Sequence, residues 1–224
     1  MKYIVISDTH ELHDQIGTLP ECDFLIHCGD FSGRGEFFAV RDFAEWFASQ
    51  PARHRICIAG NHELTFDFDH SKYNPSIRDI IARNDKIKYL ENSEKLIDGI
   101  MFYGSPAQPW FYDWGFNFYR GPEIKRVWSN IPENVDVLIT HGPPYGVLDR
   151  VKKHKKNGDN ERAGCADLLE IIERLKPKLH CFGHLHQDGL RIATNGITTF
   201  VNGAVLDDDY RFRPNIKPYV ELEL

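Results

Sequence analysis

Five short apolar segments recur along the chain and predict buried β-strands. They are rich in β-branched side chains, and they comprise residues 3–6, 24–26, 55–59, 135–139 and 179–182. Continuous apolar runs of this length, without polar alternation, are typical of strands that are buried on both faces. The pattern therefore predicts a sheet that is covered on both sides.

Helical patterns lie between these strands, at residues 36–49, 76–84 and 163–175. Alternation of strands and helices predicts a layered α/β fold with a largely parallel centre. Further short strands are expected in residues 86–103, around Asn92 and Asp98-Gly99, and in residues 189–224, around Asn195-Gly196. Such dipeptides are hairpin signals, so these strands should extend or complete the sheets.

Composition adds that the chain is an ordinary globular protein. Its 224 residues suit one domain, residues 1–224, and 42% of them are hydrophobic and 27% charged. The formal net charge of -6 gives no global positive field, so general nucleic-acid binding is not expected.

The five cysteines and the N-terminus bear on the compartment. The cysteines are odd in number and mostly sit in apolar runs, where a thiol behaves as a small buried hydrophobe. No apolar stretch has the length of a signal peptide or a membrane span. A reducing, cytoplasmic location without membrane attachment is therefore expected.

Each predicted strand runs directly into residues that can bind divalent cations. In chain order these residues are Asp8 and His10, then Asp30, then Asn61, His62 and Glu63, then His141, and finally His184 and His186. Taken singly, each could be a turn, cap or core residue. In open α/β sheets, however, ligands bind beyond the carboxyl ends of the strands. The coincidence at all five strand ends favours a single shared site.

The candidate ligand set predicts two cations. The candidate ligands are two carboxylates, one amide oxygen and four imidazoles, which exceed what one tetrahedral or octahedral cation needs when water is present: Asp8, Asp30, Asn61, His10, His141, His184 and His186. A mixed oxygen and nitrogen set without thiolate suits manganese, iron or zinc better than calcium, and magnesium fits four histidines less well. No cysteine follows a zinc-ribbon spacing, so the cysteines receive no metal role.

The order of these motifs resembles the calcineurin-like metallophosphoesterases. The resemblance rests on Asp8-x-His10, Gly29-Asp30, Gly60-Asn61-His62-Glu63, His141 and Gly183-His184-x-His186. The chain is also similar to the small metallophosphoesterase-domain phosphodiesterases, in residues 58–67, 109–111 and 140–144. This resemblance implies a four-layer α/β sandwich, in which two packed mixed β-sheets are flanked by helices.

The resemblance also implies how the ligands divide between the cations. One cation would take Asp8, His10, Asp30 and His186, and the other would take Asp30, Asn61, His141 and His184. Asp30 would then bridge the pair, and a water deprotonated between the cations would attack phosphorus as a bridging hydroxide.

Two further residues acquire roles through the resemblance. His62 matches a residue near the substrate that does not bind metal, and its imidazole could protonate the leaving alkoxide as a general acid. Protein phosphatases of the superfamily carry an aspartate where this chain has Gly33, which leaves open what orients His62. Arg34 matches an arginine that binds phosphate, although a lone arginine is often only a surface charge.

Two other segments allow two interpretations each. The aromatic run at residues 110–119 is too dense to lie wholly in solvent. It is expected to form a satellite hydrophobic cluster under a long loop, and the alternative is a stacking wall for a nucleobase. The lysine cluster at residues 152–156 lies in the segment expected to be least ordered, residues 151–162, and is interpreted as a solvated loop.

Hydrolysis of small phosphodiesters, with cyclic nucleotides as the expected substrates by resemblance, is the leading hypothesis. A phosphomonoesterase acting on nucleotides or phosphoproteins is the alternative that Arg34 supports. A nuclease is disfavoured by the net charge of -6. A non-catalytic metal-binding scaffold is a more distant alternative, because relatives that lose catalysis usually lose metal ligands and none is missing here.

Overall fold

The computed structural model describes residues 1–151 and 161–224. Its helices are α1 (Phe37–Ser49), α2 (Pro75–Ala82), α3 (Pro122–Trp128) and α4 (Ala166–Leu175). Its strands are β1 (Lys2–Ile6), β2 (Cys22–His27), β3 (Ala52–Cys57), β4 (Lys88–Tyr89), β5 (Ser93–Ile97), β6 (Ile100–Ser105), β7 (Gln108–Pro109), β8 (Asn117–Phe118), β9 (Val137–Thr140), β10 (Arg150–Val151), β11 (Glu161–Arg162), β12 (Leu179–Phe182), β13 (Arg191–Thr194), β14 (Thr199–Asn202) and β15 (Val220–Glu223).

Two large mixed sheets form the centre of the fold. The first has the strand order β15-β1-β2-β3-β4, and the second has the order β13-β14-β12-β9-β6-β5. Strands β1 to β4 run parallel, as do β14, β12, β9 and β6, whereas β15, β13 and β5 are antiparallel edge strands. The predicted parallel centre and the two flanked sheets are confirmed.

Three apolar clusters separate the layers. The middle cluster lies between the sheets and includes Val5, Ile26, Phe102 and Ile139. The first sheet packs its other face against α1 and α2 through a second cluster, and the second sheet packs against α3 and α4 through a third. Both sheets are thus buried on both faces, which explains why their central strands read as continuous apolar runs.

The short strands follow the predicted turns. Strands β5 and β6 form a hairpin in which Asp98 and Gly99 have φ values of 52° and 80°, as a two-residue turn with both φ angles positive requires. Strands β13 and β14 also form an antiparallel pair, and Asn195-Gly196 lies between them. The predicted C-terminal strands therefore complete both sheets.

Sequence patterns misplaced some elements. Helix α3 was not predicted, because its single buried face in seven residues is too short to establish a helical period. Helix α4 begins at Ala166 rather than at residue 163, because Cys165 pairs with Pro144 in an extended bridge. Val151 and Arg162, at the ends of the segment expected to be least ordered, lie in the paired strands β10 and β11. The rest of that segment, with the lysine cluster, lies outside the described residues.

The cysteines carry free thiols. Cys28, Cys57, Cys165 and Cys181 are buried and Cys22 is half-buried. Burial raises the pKa of the Cys22 thiol to about 11, and it also raises the pKa of the Cys165 thiol. These side chains therefore pack as small apolar groups, as expected. Among the described residues, none of the helices combines the length and the apolar character that a membrane crossing requires.

Candidate metal centre

The carboxyl ends of the two parallel sets of strands meet at one edge of the molecule. An isolated parallel bridge between Ser7 and Ala204 joins the loop after β1 to the loop after β14. Within the first sheet, the backbone N–H of Asp8 donates to the carbonyl of Gly29 at 2.9 Å. Within the second, Gly183 donates to the carbonyl of His141 at 2.8 Å. Backbone hydrogen bonds therefore connect the loops that carry the predicted ligands.

The predicted ligands fall into overlapping groups of donor atoms. In each group the donor atoms lie within 4.8 Å of one another. The groups are Asp8, His10 and His186; His10, Asp30 and His62; and Asp30, His141 and His184. Because His10 and Asp30 each belong to two groups, the three groups form one continuous cluster.

Asn61 joins the cluster through His141. The His141 Nε2 lies 2.9 Å from Asn61 Oδ1 and 3.2 Å from Asp30 Oδ2. His186 Nε2 lies 3.4 Å from Asp8 Oδ1 at the other end of the cluster. With Asn61, the structure brings together every residue that the sequence pattern proposed as a ligand.

Backbone carbonyls orient two of the imidazoles. His141 donates from Nδ1 to the carbonyl of Cys28 at 2.9 Å, and His186 donates from Nδ1 to the carbonyl of Asp207 at 2.9 Å. These bonds direct each Nε2 into the cluster. A metal-binding histidine usually makes such a hydrogen bond through the ring nitrogen that does not bind the metal. His10 Nε2 is buried and has no hydrogen-bond partner among the described residues. A cation would satisfy that atom.

Burial and mutual charge set the protonation of the cluster. Burial lowers the pKa of His184 to about 3 and that of His10 to about 4. Burial acts to raise the pKa of Asp30, but the imidazoles of His141 and His62 hold it well below its usual range. Burial acts to lower the pKa of His141, but the neighbouring Asp30 carboxylate stabilises the charged imidazole and raises that pKa to about 9. Ionised carboxylates and neutral imidazoles, such as those of His10 and His184, are the forms that bind cations, whereas His141 and His186, whose pKa values are raised beside Asp30 and Asp8, would release a proton on binding.

Several of these residues adopt a backbone conformation that L-residues rarely take. Asp8, His10, Asp30 and His184 have φ values of 54°, 40°, 57° and 65°. A left-handed backbone at non-glycine residues costs free energy and persists only where the surrounding structure enforces it. Here the backbone bonds between the strand-end loops enforce it, so the donors are held in place before any ligand binds.

Close approach explains a glycine next to the cluster. A Cβ at Gly183 would collide with the carboxylate of Asp8 and with the side chain of Ser7. Because Gly183 lacks that atom, the backbone N–H of His184 can donate to both Asp8 oxygens, at 3.0 and 2.9 Å. Gly183 therefore allows the backbone of His184 to bind the carboxylate of Asp8, which follows a strand of the other sheet.

Glu63 is a buried carboxylate that holds two loops together, and the sequence analysis gave it no role of its own. Its Oε2 accepts from the backbone N–H groups of Asp30 and Gly60 at 3.0 and 2.7 Å. Its Oε1 accepts from the backbone N–H and the hydroxyl of Ser32 at 3.0 and 2.8 Å. Burial and the Asp30 charge raise the pKa of Glu63 to about 8, while these hydrogen bonds oppose the rise. Its place within the Asn61 motif was the available signal.

Arg213 is a second residue that sequence analysis missed. Its guanidinium donates to the carbonyls of Ala204, Val205 and Leu206 at 3.3, 3.3 and 2.7 Å, and also to the carbonyl of His186. One side chain thus fastens the loop that carries His186 to the segment after β14. A lone arginine far from any motif carries no sequence signal for such a role.

The structure identifies what orients His62. His62 donates from Nδ1 to the backbone carbonyl of Gly33 at 2.7 Å, so no side chain is needed at that position. The His62 Nε2 lies 4.0 Å from Asp30 Oδ2 and faces the cluster. The backbone N–H of Gly33 is itself fixed by Glu11 Oε1 at 2.8 Å. The Gly33 carbonyl therefore orients His62 in this chain.

The aromatic run differs from the expected satellite cluster. Four of its rings are exposed, namely those of Trp110, Phe111, Tyr112 and Tyr119, whereas Phe116 is buried. The satellite cluster is therefore wrong for most of the run, because the loop lies at the rim of the donor cluster rather than over apolar core. Trp114 stacks on His62 with ring centroids 4.2 Å apart, and the Arg34 guanidinium lies 5.1 Å from the Trp114 ring centroid.

The donor cluster lies in the part of the chain that matches a known protein family. The family model described as calcineurin-like phosphoesterase matches residues 1–188, which include every candidate ligand. The protein belongs to the calcineurin-like phosphoesterase family. Membership supports a phosphoesterase activity that uses divalent metal ions, and the clustered carboxylates and imidazoles fit that requirement.

Relatives within the family are similar over nearly the whole chain. The human protein named metallophosphoesterase domain-containing protein 1 is 42% identical over 227 residues, which cover 94% of this chain and 68% of the relative. The mouse protein of the same name gives the same values. A solved phosphopantetheinyl hydrolase from Mycobacterium tuberculosis has a TM-score of 0.65 at 15% identity, covering 99% of this chain and 95% of its own. That structural similarity concerns the fold alone.

Proposed function

We propose that the protein is a dinuclear metal-dependent phosphodiesterase that hydrolyses small phosphodiesters, with cyclic nucleotides as the expected class. The observation that carries this proposal is the overlap of the donor groups. Asp30 belongs both to the group with His10 and to the group with His141 and His184. A carboxylate shared in this way suits a pair of cations better than two separate sites.

The family resemblance suggests an assignment for each cation, and the donor groups are compatible with it. One would be held by Asp8, His10, Asp30 and His186, and the other by Asp30, Asn61, His141 and His184. Oxygen and nitrogen donors without thiolate favour manganese, iron or zinc. When bound, the cations would supply positive charge beside the phosphoryl oxygens and lower the pKa of the attacking water.

His62 is the proposed general acid. Its Nδ1 is committed to the Gly33 carbonyl, so Nε2 is the atom that can carry a proton to the leaving alkoxide. The Nε2 atom lies 4.0 Å from Asp30 Oδ2, within the donor cluster, and it is the family resemblance that assigns His62 a place beside the cations rather than among their ligands. Proton transfer to an alkoxide matters most when the leaving group is poor.

Charge supports a diester over a monoester. A dianionic monoester requires more positive charge around its non-bridging oxygens than a monoanionic diester, and arginine is the usual source. None of the five motifs contains an arginine, and Arg34, four residues after Asp30, is the arginine nearest to them in the sequence. It is the proposed substrate-binding residue, and most of the neutralisation would fall to the cations. Phe111, which is exposed and contacts His184, offers an aromatic face for a base.

A substrate panel tests this proposal. With manganese added, bis-nitrophenyl phosphate and cyclic nucleotides should be hydrolysed in preference to nitrophenyl phosphate. Protein treated with a chelator should be inactive, and manganese should restore it. A strong preference for the monoester would replace the proposal with a phosphatase, and a protein that binds two cations but hydrolyses none of these esters would be a scaffold.

A further inference from the structure

Trp114 contacts both residues that are proposed to act on the substrate beside the cations. Its indole stacks on the His62 imidazole with centroids 4.2 Å apart and planes inclined by 25°. The Arg34 guanidinium lies 5.1 Å from the Trp114 ring centroid. The guanidinium is attracted to the indole because the ring face carries negative charge, and the stacked imidazole and indole are stabilised by the contact of two aromatic rings.

The Trp114 backbone is fixed relative to the donor cluster. Gly115, the next residue, donates its N–H to the carbonyl of Asn61 at 3.0 Å, and Phe116 donates to Asp67 Oδ2 at 2.7 Å. On the other side, Asn117 Nδ2 donates to the carbonyl of Trp114 at 2.8 Å. The loop that carries Trp114 is thus bonded directly to the loop that carries a candidate ligand.

His62 is restrained from three directions. Its Nδ1 donates to the Gly33 carbonyl at 2.7 Å, which fixes one edge of the ring. The His10 imidazole meets it edge to face with centroids 4.5 Å apart, and Trp114 covers a face of the ring. A single hydrogen bond at Nδ1 would leave the ring free to swing about that bond. The indole removes this freedom and keeps Nε2 directed at the cluster.

We propose that Trp114 is a positioning residue, which holds the His62 imidazole and the Arg34 guanidinium side by side at the rim of the metal centre. Its role is to keep the proton donor and the phosphate-binding cation at a fixed separation. This inference rests on the proposed function, because it assigns His62 and Arg34 their roles. It also gives part of the aromatic run a function that sequence patterns left open.

The same loop provides a matched control. Trp110 is an equally large ring in the same segment, but it stacks on Tyr119, with centroids 6.3 Å apart, rather than on a residue of the site. Phe111 is unsuitable as a control because it meets His184 edge to face with centroids 5.9 Å apart. Trp110→Ala therefore removes the same surface as Trp114→Ala without touching the donor cluster.

The first test is spectroscopic and needs no substrate. In the protein loaded with zinc, which is diamagnetic, the ring current of the indole should shift the imidazole protons of His62 upfield, and signals lost in His62→Ala assign them. Trp114→Ala should move these signals downfield, whereas Trp110→Ala should leave them unchanged. Unchanged His62 signals in Trp114→Ala would overturn the proposed contact, whatever the protein hydrolyses.

The second test is a double-mutant cycle on a nucleoside diester, whose leaving group is poor. Trp114→Ala should lower kcat roughly 10- to 100-fold, since misplaced catalytic groups forfeit much of their contribution. In the His62→Ala background the same change should lower kcat much less, because the two residues act as one unit. Trp114→Phe should recover most of the loss, and Trp114→Ala should raise KM as Arg34 loses its support.

The outcomes separate this proposal from the proposed function. If the wild-type protein hydrolyses diesters and the losses in Trp114→Ala and His62→Ala are fully additive, the positioning role is wrong and the diesterase stands. If the His62 signals respond to Trp114→Ala but no ester is hydrolysed, the contact stands and the proposed function fails. Loss of bound metal in Trp114→Ala would also overturn the positioning role, because Trp114 would then support the ligands themselves.

Discussion

The two ends of the donor cluster are held in different ways. At one end lie Asp30, Asn61 and His141, which we call the inner group, and there His141 Nε2 lies 2.9 Å from Asn61 Oδ1 and 3.2 Å from Asp30 Oδ2. At the other end, the outer group, His186 Nε2 stands 3.4 Å from Asp8, and His10 Nε2 has no hydrogen-bond partner among the described residues. The inner group is thus the more closely packed of the two.

The supports of the two groups come from different parts of the chain. Glu63, within the Asn61 motif itself, bonds the loops that carry the inner group. The outer group depends on the Asp207 carbonyl and on Arg213, both of which lie beyond residues 1–188, the part that matches the family model. The residue that supports the inner group therefore lies within one of the motifs, whereas the residues that support the outer group lie in the C-terminal segment.

The largest expected effect comes from Asp30, which touches both groups. Asp30→Asn should abolish turnover and lower the occupancy of both cations, because two like charges would then repel each other across a neutral amide. Metal analysis of the purified variant and a diester assay measure the two effects. Two equivalents of metal together with near wild-type turnover would show that Asp30 is not shared between the groups.

Arg213→Leu should affect one group only. Without the guanidinium, the carbonyl of His186 and the segment after β14 lose their common donor, so His186 should move while the inner group stays in place. Loss of such an outer support typically costs about 10- to 100-fold in metal affinity. A metal titration should therefore show one weakened site and one unchanged site.

Arg211→Leu is the matched control for that experiment. Arg211 is exposed in the same segment, and its hydrogen bonds with Asp207 are made by its own backbone N–H and carbonyl. The control should bind both cations as the wild-type protein does. Equal weakening of both sites in Arg213→Leu would mean that the two groups do not have separate supports.

The smallest effect on the metals is expected for His62→Ala, since His62 is proposed to lie beside both groups as an acid rather than as a ligand. Both cations should remain. The rate on nucleoside esters should fall by roughly 10²- to 10⁴-fold, and activated nitrophenyl esters should be spared. Equal losses on both ester types would indicate a binding role, and loss of a cation would make His62 a ligand.

Much of the centre could be predicted from the sequence because parallel strands end at a common edge. The apolar runs located β1, β2, β3, β9 and β12, and the polar residues after each run named the donors that the structure brings together. Strand topology alone makes such residues neighbours, whatever the details of packing. Helix α3 escaped this logic because a seven-residue helix has too few turns to show a period.

The sequence by itself determined which side chains could bind cations and that buried strands would gather them at one edge. Tertiary structure decided which groups orient them: the Gly33 carbonyl for His62, the Asp207 carbonyl and Arg213 for His186, and Trp114 for the rim. Every residue has a carbonyl, and a lone arginine or tryptophan forms no periodic pattern. The sequence therefore does not indicate which histidine each of these groups will contact. Only the packing of distant segments selects which of them meet.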